Sequence, residues 1–142
     1  MNERLIGAKG TLQPGCAVLV VEDHPLLGGR IVEFLLATFS GCHCILCRSG
    51  EEAVEVARAQ KIDAILMDIG LPGINGIVAT REIKAFAPSI PVVMLTTHGK
   101  DLFEAMARAA GATHYVVKEA MYEELVPVLA GLLKCPAIRS AA

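Results

Sequence analysis

The stretch Val18-Leu-Val-Val-Glu-Asp-His-Pro25 decides how the chain is read. Four apolar residues run without interruption and stop at two adjacent carboxylates. A proline suited to the first turn of a helix follows. A strand that is apolar at every position is covered on both faces, as in parallel sheets flanked by helices. The pattern returns along the chain. Ala17–Val21, Cys42–Cys47, Ile62–Met67, Pro91–Thr96 and Thr113–Val117 read as strands, and Ile65–Met67 and Val92–Leu95 are again continuously apolar.

Between these runs lie segments of helical period. Leu27, Ile31, Phe34 and Leu35 recur on one face after Pro25. Ser49-Gly-Glu-Glu52 has capping-box spacing and opens a second helix, with Ala53, Val56 and Ala57 on its apolar side. Ala79, Ile83 and Phe86 mark a third helix that ends before Pro88. Asp101-Leu-Phe-Glu104 opens a fourth, which Gly111 closes. Glu123–Lys134 is the fifth, where Pro127 requires a kink or a late start. This alternation predicts an α/β fold: a five-stranded parallel sheet with helices on both faces. Residues 1–15 hold Gly, Lys, Gln and Pro without periodicity and are expected to form a flexible N-terminal lead. Residues 16–134 form the domain and 135–142 a short tail.

Composition narrows the function. The chain has 142 residues, 13 basic and 15 acidic side chains and a net charge of −2, which fits one domain. With 54% apolar residues and a mean hydropathy of +0.52, it is too hydrophobic for intrinsic disorder. Its apolar runs are too short to span a membrane, and Met1–Gly10 lacks the apolar core of a signal peptide. Near-neutral charge argues against direct nucleic-acid contact. The five cysteines read as reduced thiols, so a cytoplasmic protein is expected.

Ligands of open α/β sheets collect outside the carboxyl ends of the strands. The first strand ends in Glu22-Asp23, the third in Asp68, the fourth in Thr96-Thr97 and the fifth in Lys118. Singly, each has a plain structural reading. Asp23 can cap the helix at Pro25, Asp68 can open a turn, Thr96 suits a strand, and Lys118 can be a solvated charge. Together they crowd three carboxylates onto one sheet edge, an arrangement that needs a compensating cation. Hard oxygen ligands without His or Cys point to Mg²⁺. A carboxylate beside Mg²⁺, a lysine and a hydroxyl is the equipment of phosphoryl transfer, with Asp68 as nucleophile.

The stretches Val18–Pro25, Ile65–Gly73, Pro91–Thr96 and Gly111–Lys118 together resemble the response-regulator receiver domain of bacterial two-component signalling, over about residues 16–134. The Asp-His-Pro opening is most similar to receivers of nitrate-response-type DNA-binding regulators. The resemblance implies a flavodoxin-like (βα)5 three-layer sandwich. It implies that Asp68 accepts a phosphoryl group from a sensor histidine kinase or phosphotransfer protein. Glu22, Asp23, Asp68 and the Gly70 backbone carbonyl would bind Mg²⁺, and Thr96 and Lys118 would bind phosphoryl oxygens. Tyr115 would move with Thr96 as an aromatic switch. The face of the fourth helix, fifth strand and fifth helix would serve partners or a homodimer. Three positions depart from the usual pattern: Thr97 replaces a small residue, Gly70 a larger one, and Glu119 the proline after the lysine. Thr97 and His98 are expected to modulate the site.

Two versions of this reading stand: a complete single-domain regulator, or the receiver portion of a longer DNA-binding regulator. A small phosphatase or an FMN-binding module on the same sheet is the rival. A haloacid-type phosphatase carries Asp-x-Asp where this chain has Asp68-Ile-Gly70, and FMN binding would need a Ser/Thr/Gly-rich loop in place of Glu22–Pro25. Cys42-His43-Cys44 and Cys47 lie on one strand, so Cys42 and Cys44 face away from His43 and Cys47, which disfavours a zinc site. Gly70, Gly73 and Gly76 lack dinucleotide-loop spacing, and His24 and His98 read as loop histidines.

Overall fold

The computed structural model describes residues 5–7, 15–97 and 102–133. A short strand β1 (Leu5–Gly7) precedes the expected alternation. There follow β2 (Cys16–Val21), α1 (Pro25–Thr38), β3 (Cys42–Cys47), α2 (Gly50–Ala59), β4 (Ala64–Asp68) and α3 (Gly76–Phe86). The chain continues through β5 (Val92–Thr96), α4 (Leu102–Ala109), β6 (His114–Val117), a 3₁₀ turn at Lys118–Ala120, and α5 (Met121–Leu132). The strand order is β1-β3-β2-β4-β5-β6, with β2 to β6 mutually parallel. This is the flavodoxin-like arrangement of five parallel strands.

The sheet carries one strand more than expected. Leu5–Gly7 lies within the segment read as a flexible lead, yet it pairs antiparallel with β3, Leu5 opposite Ile45 and Gly7 opposite His43. Three residues are too few to display a period, and what holds them is the outer edge of β3, whose backbone groups would otherwise lack partners. The rest of the lead up to residue 14, the tail 135–142, Asp101 and Lys134 lie outside the described residues.

The unbroken apolar runs are explained by two cores, one on each face. Val18, Val20, Leu66, Leu95 and Val116 pack with Ile31 and Leu35 of α1 and Leu125 and Leu129 of α5. Leu19, Val21, Ile65, Met67 and Met94 pack with Ala53 and Val56 of α2, Ile83 of α3 and Ala107 of α4. Cys42 and Cys44 fall in the first core and Cys47 in the second, as strand alternation requires.

The helix ends decide one open alternative and correct one expectation. His24, not Asp23, caps α1: its Nδ1 accepts from the Leu27 N–H at 3.4 Å, which leaves the Asp23 carboxylate to another role. The fifth helix starts at Met121 rather than at or after Glu123. The 3₁₀ turn leads directly into it, and Pro127 lies inside it, removing the N–H that would bond the Glu123 carbonyl and crowding that carbonyl, while Leu125 and Leu129 anchor the helix in the core. The other ends follow the sequence. Ser49 Oγ accepts from Glu52 N–H at 3.1 Å. Gly111, at φ +110°, closes α4 with N–H bonds from Gly111 to Arg108 O and from Ala112 to Ala107 O, both 3.0 Å. Among the described residues no helix is long and apolar enough to cross a membrane.

Candidate functional site

After β2 the chain turns through α1 to β3 on one side, and after β4 through α3 to β5 on the other. The loops leaving these two neighbouring strands therefore diverge and open a crevice, the switch point at which parallel sheets bind ligands. Glu22 and Asp23 follow β2, Asp68 ends β4, Thr96 ends β5, and Lys118 follows β6. All five line one cleft of about 750 Å³, together with Gly70 and Thr97.

One oxygen from each of Glu22, Asp23 and Asp68 lies within 4.8 Å of the others. Lys118 Nζ donates to Glu22 Oε1 at 2.9 Å and stands 3.3 Å from Asp68 Oδ1. The His24 N–H donates to Glu22 Oε2 at 3.1 Å, and the Gly70 N–H to Asp68 Oδ1 at 3.2 Å. Burial raises the Glu22 pKa and the charge of Asp68 adds to this, while Lys118 partly opposes both. Burial alone would lower the Lys118 pKa. Its hydrogen bond to Glu22 and the two carboxylate charges outweigh that and raise it, so the ammonium is held charged. The site is a buried anion pocket with one cation built in. A compact donor set of hard oxygens without thiolate or imidazole fits Mg²⁺.

Thr96 is buried at the carboxyl end of β5. Tyr115, on β6, is paired with Met94, two residues before Thr96, and lies on the same sheet face as Met94. Its side chain is only 6% exposed, so it already points inward. A Cβ built on Gly70 would meet no atom within 4 Å, so the entrance above Asp68 is open at that position. Thr97 lines the cleft, whereas His98 lies outside the described residues.

Sequence reasoning missed the cleft's other wall. Leu27 of α1, Ile69 and Asn75 of the loop after β4, and Phe103 of α4 line it too. Asn75 was legible: it precedes a helix, and its Oδ1 accepts from the Val78 N–H at 2.9 Å. The apolar three carry no such local signal. The cysteine run of β3 contributes nothing here. Among the described residues, the group of His, Cys, Asp and Glu side chains able to hold a metal is the acidic one.

The fold and this edge of the sheet define a class. Residues 18–130 match the family described as response regulator receiver domain, and the chain belongs to that family. It is a signalling component of the two-component type. It is 38% identical to the response regulator GacA of Pseudomonas aeruginosa over 113 residues, 79% of this chain and 52% of that protein. It is 35% identical to the response regulator UvrY of Escherichia coli K12 over 113 residues, 79% of this chain and 51% of that protein. The chain thus spans about half the length of the curated relatives it matches. Among solved structures, a LuxR-family two-component response regulator from Aurantimonas superposes with a TM-score of 0.76 at 29% identity, covering 84% of this chain and 88% of that one. The receiver domain of the sensor histidine kinase PA1611 from Pseudomonas aeruginosa, which holds a magnesium ion in its active-site cleft, gives a TM-score of 0.75 at 33% identity. That match covers 83% of this chain and 97% of the other. The LuxR-family neighbour agrees with the kinship inferred from Asp-His-Pro.

Proposed function

We propose that Asp68 is the phosphoacceptor of a cytoplasmic phosphorylation switch, taking its phosphoryl group from a sensor histidine kinase or a phosphotransfer protein. The observation that carries this reading is the Lys118 ammonium shared between Glu22 and Asp68 at the switch point, with Asp23 completing a three-carboxylate cluster. An oxygen of Asp68 attacks phosphorus, the P–N bond to the donor imidazole breaks, and an acyl phosphate forms. Glu22, Asp23, Asp68 and the Gly70 carbonyl would hold Mg²⁺, which when bound offsets charge on the transferring group. Lys118 neutralises Asp68 before transfer and is placed to follow its charge onto the phosphoryl oxygens. The Thr96 hydroxyl binds a further phosphoryl oxygen.

The readout runs through Thr96 to Tyr115 and the face of α4, β6 and α5; Met106 of α4 stands exposed. Because Tyr115 is already buried, phosphorylation acts by holding it inward rather than by driving it there. That face serves a partner or a second copy of the chain. The relatives' greater length supports a second version of the same reading, in which this is the receiver portion of a longer DNA-binding regulator. Thr97 and His98 modulate the phosphoryl lifetime.

The test is intact-mass measurement after incubation with Mg²⁺ and acetyl phosphate. A gain of one phosphoryl group that requires Mg²⁺ and vanishes in Asp68→Asn is expected. A gain that survives Asp68→Asn would remove Asp68 from its role. Catalytic turnover of a generic phosphate ester would favour the phosphatase alternative.

A further inference from the structure

The loop from Ile69 to Asn75 carries the Gly70 carbonyl, and several hydrogen bonds tie it down, among them Ile69 N–H to Leu95 O at 3.1 Å and Leu71 N–H to Ile69 O at 2.9 Å. Asp68 Oδ1 accepts from Gly70 N–H, and Ile69 O accepts from Gly76 N–H at 3.0 Å. A further tie comes from α2. Glu51, in the first turn of α2, reaches across 23 residues of sequence, and its Oε2 accepts from the Ile74 N–H at 3.2 Å. The same carboxylate lies against Gly73. A Cβ there would sit 2.6 Å from Oε2 and 3.0 Å from Oε1, and Gly73 has a φ of +71°. The helix bearing Glu51 is itself fixed. A Cβ on Gly50 would come within 2.8 Å of Ile74 Cγ1 and 3.1 Å of Ala79 Cβ, and the Arg58 guanidinium sits over the Phe86 ring of α3 at 4.2 Å.

We infer that Glu51 is a positioning residue for the metal-binding loop: its carboxylate, hydrogen-bonded to Ile74 and laid over Gly73, holds the backbone in the turn that aims Gly70 at the acidic cluster. It touches neither metal nor phosphoryl group. Ile69 and Leu71 are buried in the core, which leaves the freedom of this loop around its left-handed glycine, and an external acceptor beside Gly73 removes alternatives there before the metal arrives. Partners that orient a ligand without contacting the metal change metal affinity by about 10–100-fold in well-studied sites.

The inference rests on the proposed Mg²⁺ site, and its test separates the two. Mg²⁺ titrations by calorimetry compare the wild-type chain with Glu51→Ala, Glu51→Gln and Glu55→Gln. Glu55 is on the same helix and exposed. Glu51→Ala is expected to weaken Mg²⁺ binding about tenfold. Glu51→Gln keeps an acceptor oxygen and restores most of the affinity, and Glu55→Gln leaves it within about twofold because exposed charge at that range is screened. Independently of metal, hydrogen exchange at the Ile74 amide should quicken about tenfold in Glu51→Ala and return towards wild type in Glu51→Gln. A wild-type chain that binds no Mg²⁺ overturns the metal site and this inference together. Normal Mg²⁺ affinity and unchanged Ile74 exchange in Glu51→Ala overturn the inference alone. Equal loss of affinity in Glu51→Gln and Glu55→Gln reduces it to a charge effect and overturns it as well.

Discussion

With Glu22 only 2% exposed and Asp68 5% exposed, their negative charges depend on Lys118 at 2.9 and 3.3 Å while no metal is bound. Removing one partner of a buried pair strands the other, typically at about 3–5 kcal/mol. Lys118→Ala is therefore expected to cost the metal-free chain about 3 kcal/mol, the lower end of that range, because Glu22 can escape part of the penalty by taking a proton. Urea melts check this, and Mg²⁺ should recover more stability in the variant than in the wild type. The pH dependence has a definite sign. The Glu22 pKa lies above the ordinary value near 4.5, so its contribution is fully present below that value and is lost as pH rises through the raised pKa. Lys118, raised above 10.5, contributes below that value and loses its contribution as pH climbs past it. Melting curves of the metal-free chain should show the Glu22 decline from about pH 4.5 upward. Saturating Mg²⁺ should flatten it, and a decline of equal size with and without metal would count against Glu22 as a ligand.

Glycine placement separates the helices into tolerant and intolerant positions. Gly29 lies inside α1, and a Cβ there meets nothing within 4 Å. Gly29→Ala should stabilise the chain by about 0.5–1 kcal/mol through helix propensity alone. Gly76 opens α3 directly against Asp68, and an added Cβ would collide with the Asp68 backbone carbonyl. Gly76→Ala should cost about 1–3 kcal/mol and displace the loop that carries Gly70. The pair is measured by denaturant unfolding, and equal effects would show that the close approach to β4 is not maintained in solution.

At the scale of the whole molecule, the unfolded chain cannot assemble Glu22, Asp23 and Asp68, so bound Mg²⁺ adds to folding stability by mass action. At one hundred times its dissociation constant the gain is about 2.7 kcal/mol. A melting temperature insensitive to millimolar Mg²⁺ would contradict the site. Beryllofluoride, as a phosphoryl mimic, is expected to shift NMR resonances beyond the cleft and into residues 102–133, as the proposed coupling of Thr96 to Tyr115 requires; Tyr115 shares a core with Ala107 of α4. Thr96→Ala should accept phosphate without the distant shifts, and Tyr115→Ala should accept phosphate with weakened partner binding. Shifts confined to the loops around Asp68 would end the coupling proposal.

Hydrophobic periodicity and the residue at which each apolar run stops are local properties, and they were enough to give five parallel strands, their helices and the carboxylates, hydroxyl and lysine of the cleft. The sequence also determined the caps at Ser49 and Gly111, because a cap depends on neighbours within a turn. What it left open depends on partners far along the chain. Leu5–Gly7 becomes a strand because β3 lies at the sheet edge with unpaired backbone groups. Tyr115 is turned inward by packing against its sheet face. Glu51 reads as one more exposed charge on α2 until folding sets it beneath Ile74. Periodicity reports which face of an element is buried. Which distant group meets that face is decided by strand order and loop path, and these exist only in the folded chain.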